Sequence, residues 1–276
     1  MTTMTTTTTT RLPGNVSMGL ARGRVEILQF FRQRDAVVFT FAFPAFLMAM
    51  LGLIFTEPHP GTPVSLRLVL AASIIAYGIV STAFMSTGIG VAVDRDDGTL
   101  KRLRGTPVTA TAYLLGKLML VVVVTLGEVA LLLTVAVLAF GLELPTDPGR
   151  WATFAWLLVL STTSCTLLGI GFSALARSAR SATAVMNVPA VALGFVSGIF
   201  VHILALPDAM VTVASFFPLK WMGQGFRAVF LPDTMAAFER ARSWELGRVA
   251  IVLGVWTVMG LALCLATFRW RERRRG

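Results

Sequence analysis

"LLGKLMLVVVVTLGEVALLLTVAVLAF", Leu114–Phe140, carries two charged side chains in 27 residues. A bilayer core about 30 Å thick is crossed by about 20 apolar residues of helix. No water reaches the backbone there, so a run of this length must be helical. Five further runs share the property: Val37–Phe55, Leu68–Val93, Trp151–Leu175, Ala184–Leu206 and Val249–Phe268. The composition agrees, with 55% hydrophobic residues, 14% charged and a mean hydropathy of +0.76. A soluble domain draws about a quarter of its residues from Asp, Glu, Lys and Arg. The sequence therefore predicts an all-α membrane protein of six transmembrane helices, with 35–276 as its membrane domain.

The net charge of +10 raises the question of a nucleic-acid partner, and the placement of the charges answers it. Of 24 Lys and Arg, 17 fall on one predicted side: Arg11 to Arg34, Arg95 to Arg104, Lys117, Arg177, Arg180 and Arg269 to Arg275. The other side holds Arg67, Arg150, Lys220, Arg227, Arg240, Arg242 and Arg248. Positive residues collect on the cytoplasmic face, which places both termini in the cytosol of a multi-pass protein in a bacterial cytoplasmic membrane. The excess charge then reads as a topology signal and a contact with anionic lipid, with no nucleic acid required.

Residues 1–17, opening "MTTMTTTTTT", read as a disordered Thr-rich lead. They lack the apolar core of a signal peptide, and Met4 or Met18 can serve as the first residue. Residues 18–34 interleave arginines with Leu20, Val25, Leu28 and Phe31, the pattern of an amphipathic interfacial helix. Pro44 is expected to kink or break the first span. Pro207–Gly247 is too interrupted to cross the membrane and reads as re-entrant or interfacial half-helices, with Phe216, Trp221, Phe226 and Phe230 as aromatic anchors. Gly194 and Gly198 form a G-x-x-x-G that permits close helix approach. Cys165 and Cys264 read as buried apolar thiols, and His59 and His202 as loop and interfacial residues. No cluster suggests a metal site.

Charge concentrates at one bend, "VAVDRDDGTLKRLRGTPV", Val91–Val108. Asp97 is placed to cap a short helix. Leu100 and Leu103 share a face at i, i+3 while Lys101, Arg102 and Arg104 point elsewhere. Gly105 and Pro107 end the helix. A helix of two turns is marginal alone in water, so it needs a surface to pack on.

The segment "DRDDGTLKRLRGTPVTATAYLLGK" resembles the signature of ABC-2 type transporter permeases, the membrane subunits of ATP-binding-cassette exporters. Asp94, Arg95, Asp96, Gly98, Thr99, Leu100, Leu103, Pro107, Gly116 and Lys117 occupy the pattern, with aspartates where the family usually has glutamates. "FFPLKWMGQGFRAVF" is similar to the family's Pro-Leu … Arg segment before the last span. The resemblance, closest to the daunorubicin-resistance-like group for drugs and lipids, implies a half-transporter. A second permease copy, identical or not, pairs with it, and two soluble ATPase subunits carry the ATP and magnesium. No cofactor is expected on this chain, which lacks G-x-x-x-x-G-K-[ST]. The short helix becomes the coupling helix between spans two and three: Leu100 and Leu103 supply its apolar grip on the ATPase, and Asp94, Arg95 and Asp96 orient its base. On that reading Leu100→Asp leaves the protein in the membrane and uncouples transport.

Glu128 lies mid-span, where a carboxylate costs a few kcal/mol and should face a wet or polar interior. With Thr125, Ser161, Ser164 and Asn187 it forms the candidate substrate path for a cationic or amphipathic compound. A polysaccharide or lipid-linked glycan exporter is the nearest alternative, and an ATP-independent channel or secondary transporter a weaker one. Asp97-Gly98-x-x-x-Arg102 superficially matches the start of a CDP-alcohol phosphotransferase signature. The aspartates that should follow one turn apart are missing, since the next is Asp147.

Overall fold

The computed structural model describes residues 14–55, 64–201 and 203–267. The Thr-rich lead up to Pro13, His59, His202 and the Arg269–Arg275 cluster lie outside the described residues. Among the described residues, six helices are long and apolar enough to span a membrane. In chain order the helices are α1 (Asn15–Arg32), α2 (Arg34–Ile54), α3 (Leu66–Ile79), α4 (Thr87–Asp96), α5 (Thr99–Arg104), α6 (Ala110–Phe140), α7 (Pro148–Phe172), α8 (Ala179–Val196), α9 (Asp208–Ser215), α10 (Pro218–Phe230) and α11 (Leu246–Thr267). A π-helical segment, Val80–Ser86, joins α3 to α4, so that Leu66–Asp96 forms one 31-residue span.

This second span is the axis of the fold, buried over 89% of its most apolar window. α2, α6, α7, α8 and α10 pack around it. It therefore needs apolar side chains all round, and its sequence supplies them. α2, α8 and α11 are buried over only 22% of theirs. Their outward faces present Phe39, Phe46, Val188, Phe195, Ile251 and Val258, as lipid or another membrane chain requires.

α1 lies lengthwise on the first turns of α6. Asn15 accepts from the Thr109 hydroxyl (2.9 Å). A Cβ on Gly19 would come within 2.8 Å of Leu115 Cβ, and one on Gly116 within 3.2 Å of the Gly23 nitrogen. Contacts advance together along both helices, which therefore run in the same direction. α6 is about 46 Å long at 1.5 Å per residue, longer than the bilayer core is thick, so it has turns to offer such a partner.

Four expectations change. The helix at the N-terminus begins at Asn15, not residue 18. α2 continues as helix through Pro44, with no break there, and α8 likewise continues through Pro189; membrane-spanning helices tolerate proline. The fifth span ends at Val196, ten residues early. Gly198 turns the chain with φ +77°, and Phe200 N–H donates back to the Gly194 carbonyl (3.3 Å). The G-x-x-x-G is thus a helix stop; Gly194 faces the Phe200 ring rather than another helix.

The fourth change concerns α10. All thirteen of its residues are buried. It is sunk among α3, α7 and α11, and Trp221, Phe226 and Phe230 are core rather than interfacial anchors. Phe154 of α7 meets the Phe226 and Phe230 rings at 5.9 and 5.7 Å. Phe216 alone of the four stays exposed.

Candidate functional site

The charged bend closes one end of the bundle. Asp97 does not cap α5 in the expected way: Gly98 is the N-cap residue, in the left-handed conformation at φ +78° that glycine adopts without strain. The Asp97 carboxylate still accepts the Thr99 N–H (2.8 Å). That backbone bond, with help from the Thr99 hydroxyl, holds its carboxyl below the usual carboxylate range. The glycine of the Gly-Thr-Leu triplet is thus a backbone requirement.

The acidic-basic-acidic triplet at the end of α4 ties three elements together. Asp94 accepts from Lys117 Nζ (2.7 Å) and from the Tyr113 hydroxyl (2.7 Å), both on α6. Lys117 also donates to Glu26 of α1 (2.9 Å), and Glu26 is paired in turn with Arg22. Arg95 donates to the carbonyls of Ser173 (2.8 Å) and Ala176 (2.7 Å), just beyond α7. Asp96 accepts the Ala179 N–H in the first turn of α8 (3.0 Å), where a carboxylate is favoured by the helix dipole. One triplet thus fixes the ends of α4, α6, α7 and α8, and through Lys117 also α1. Glu26 and Lys117 are each only 6% exposed.

α5 hangs from this staple. Leu100 is 7% exposed, turned into the protein's own body. An i, i+3 pair marks one face, and here the Leu100 end of that face seats the helix. Leu103 is half-buried, Lys101, Arg102 and Pro107 are exposed, and Arg102 donates to the Thr99 hydroxyl (3.0 Å). The free surface of α5 is therefore basic. Leu100→Asp would unseat α5 as well as alter its surface, which disqualifies it as a test of docking.

Glu128 is fully buried, and its Oε2 accepts a hydrogen bond from the Thr82 hydroxyl in the π segment. Thr125 and the Ser161–Thr166 stretch supply none of its partners. Glu128 Oε1 and the hydroxyls of Thr125, Ser161 and Ser164 lack hydrogen-bond partners among the described residues, as does Asn187 Oδ1. Such groups carry a desolvation cost that a polar ligand or water can relieve. Cys165, buried as expected, lies 3.8 Å from Met222 Sδ of α10. An apolar cavity of about 100 Å³ sits beside it, lined by Val80 and Phe84 of the π segment, Leu168, Leu219 and Trp256.

A second buried network secures the far end. Arg227 of α10, 2% exposed, pairs with Glu239 through Nε (2.6 Å) and Nη2 (3.1 Å) and donates to Ser73 of α3 (2.9 Å). Arg150 donates to the Leu231 carbonyl (2.6 Å). Sequence reading marked Arg227 only as part of a pattern and missed Glu239, Glu26 and Tyr113 as partners. An isolated glutamate in an amphipathic helix, like Glu26, gives no sign of where its partner lies. Lys117 inside an apolar run was the available signal, since a buried cation implies a carboxylate.

A search of curated proteins finds no match. The sequence does match the family profile of the ABC-2 type transporter over residues 21–231, which takes in the later part of α1, the staple, α5 and the whole of α10. Six apolar helices, a charged triplet binding their ends together and a short helix hung from it are the parts of a membrane transport subunit, and the chain belongs to the ABC-2 type transporter family as a multi-pass permease.

Proposed function

We propose that the permease exports a hydrophobic or amphipathic compound, a drug or a lipid, across the cytoplasmic membrane. ATP and magnesium are held on a separate ATPase, two copies of which pair with two permease copies. The observation that carries this reading is the staple: α5 exposes a basic surface while its base is fixed to α4, α6, α7 and α8. A push on so small a helix therefore reaches most of the bundle. The excess of Lys and Arg at this end supports a cytosolic orientation. Lys101, Arg102 and Leu103 are the docking contacts, with Asp94, Arg95, Asp96, Gly98, Thr99, Leu100 and Pro107 shaping the helix that presents them. The tagged full-length chain, extracted from its native membrane, should bring down a P-loop ATPase. The doubly substituted Lys101→Glu, Arg102→Glu chain should insert normally and retain about a tenth of that ATPase or less, as charge reversal at an interface costs several kcal/mol. Undiminished capture by the double variant, or an ATPase-free preparation of the parent, would remove this reading.

Glu128, Thr125, Ser161, Ser164 and Asn187 offer the unpartnered polar atoms along the path. The carboxylate favours a compound with a cationic or hydrogen-bond-donating group. Glu128→Gln should slow efflux of lipophilic cations such as tetraphenylphosphonium by about tenfold, the effect of losing a contact of about 1.4 kcal/mol. Equal efflux by the two proteins would rule out a substrate contact.

A further inference from the structure

We propose that Val80–Ser86 holds one surplus residue that can move along span two, and that Glu128 is the positioning residue that parks it. The presence of the surplus and its movement can be tested without substrate or partner. A π turn closes each ring with one residue more than an α turn, and is seen mostly as a single bulge within an otherwise α-helical run. Here the flanking residues Ile79 and Thr87 are both α-helical, at φ −58°, ψ −42° and φ −66°, ψ −46°. The bulge is therefore bounded on both sides by regular helix. Side chains stitch the widened turn at the same spacing of five: Ser86 Oγ donates to the Ser81 carbonyl (3.0 Å) and Thr87 Oγ1 to the Thr82 carbonyl (3.2 Å).

The surroundings suit a bulge that moves. α7 crosses it at Gly169, where an added Cβ would lie 2.5 Å from the Phe84 carbonyl oxygen and 3.1 Å from Phe84 Cα, so backbone meets backbone with no side chain interlocked between them. On another side the apolar cavity of about 100 Å³ leaves Val80 and Phe84 with free volume. One polar tie from a neighbouring helix marks the position: Thr82, at the third residue of the bulge, donates to Glu128 of α6. Glu128 Oε2 is thereby committed to Thr82, while Oε1 faces Gly78 of α3, where a Cβ would stand 3.1 Å away. The carboxylate thus bridges the regular helix before the bulge and the bulge itself.

Moving the surplus by one position turns the part it passes relative to α3. Toward the C-terminus the first residue passed is Thr87, and only a surplus carried along the whole of α4 reaches Asp94, Arg95 and Asp96. A ligand or proton that draws Thr82 from Glu128 would free the bulge, and force on α5 would drive it from the other end.

Deletions in the full-length chain, reconstituted in lipid nanodiscs, test this. Removing Ala83 takes out the surplus and should leave a regular helix with both flanks in register. Removing Ile75, in the regular α3, should put the flanks out of register. The Ala83 deletion is expected to melt within about 5 °C of the parent, a shift of about 1–2 kcal/mol for a chain this size, and the Ile75 deletion far lower. Amides of residues 87–96 should exchange with deuterium about tenfold more slowly in the Ala83 deletion than in the parent, because local opening through the bulge is gone. Thr82→Val should speed the same amides about threefold by removing the tie. If both deletions are equally damaging, the segment holds no surplus. If the Ala83 deletion is stable but exchange is unchanged, the surplus does not move. Either result overturns the proposal.

Discussion

Lys117→Met should lower the unfolding free energy by about 3–5 kcal/mol, the cost of leaving a buried ion-pair partner without its counter-charge. The reason lies in a charge balance confined to a small volume. Arg22 and Lys117 face Glu26 and Asp94, and Lys117 alone touches both carboxylates. Methionine matches the length of the lysine stem and keeps its packing beneath α1, so the loss is electrostatic rather than a cavity. Two carboxylates then share a buried site with one guanidinium, and α1 loses its polar tie to α6. Equilibrium unfolding in mixed micelles measures the change. The triple variant Lys117→Met, Glu26→Gln, Asp94→Asn removes the stranded charges and should recover at least half of the loss, since neutral replacement of a buried network is often close to neutral in stability. A single substitution that costs less than about 1 kcal/mol, the range of exposed pairs, would show that the pair is solvated and the staple weak.

Arg227→Met should cost a similar 3–5 kcal/mol for the same reason, with consequences at the opposite end. Glu239, 6% exposed, would lose both of its guanidinium contacts, and Ser73 its donor. This network holds the segment after α10 against α3. The loss should therefore appear as faster proteolysis of residues 231–245 as well as a lower midpoint. Arg227→Met combined with Glu239→Leu should be more stable than Arg227→Met alone. The coupling free energy from the double-mutant cycle should reach about 2 kcal/mol, within the range for residues in direct contact. Additive effects would mean that the two side chains do not act as a pair.

Both predictions rest on partners far apart in the chain, which explains what the sequence could not show. Asp94, Arg95 and Asp96 stood out at once, because three charges ending an apolar run demand a reason. Their partners did not: Glu26 is 91 residues from Lys117, and Asp96 and Ala179 are 83 apart. Three of the partners are backbone groups, the Ser173 and Ala176 carbonyls and the Ala179 N–H, which no residue type announces. Leu100 is ambiguous on similar grounds. Spacing places it on an apolar face, while only packing decides whether that face meets the protein's own body or another subunit. Trp221, Phe226 and Phe230 were likewise ambiguous, since aromatic residues serve interfaces and cores alike. Their burial, with Phe154 of α7 against Phe226 and Phe230, makes them core.

What the sequence determined by itself is the set of six spans and the one charged bend, because a bilayer imposes a length and a polarity that can be counted along the chain. The tertiary structure alone decided the register within those spans: the π segment in the second, the early stop of the fifth, and the sinking of α10. The physical reason is burial. A helix packed on every side, as Leu66–Asp96 is, shows no amphipathic phase, so an extra residue in one turn leaves no mark on its pattern of apolar side chains.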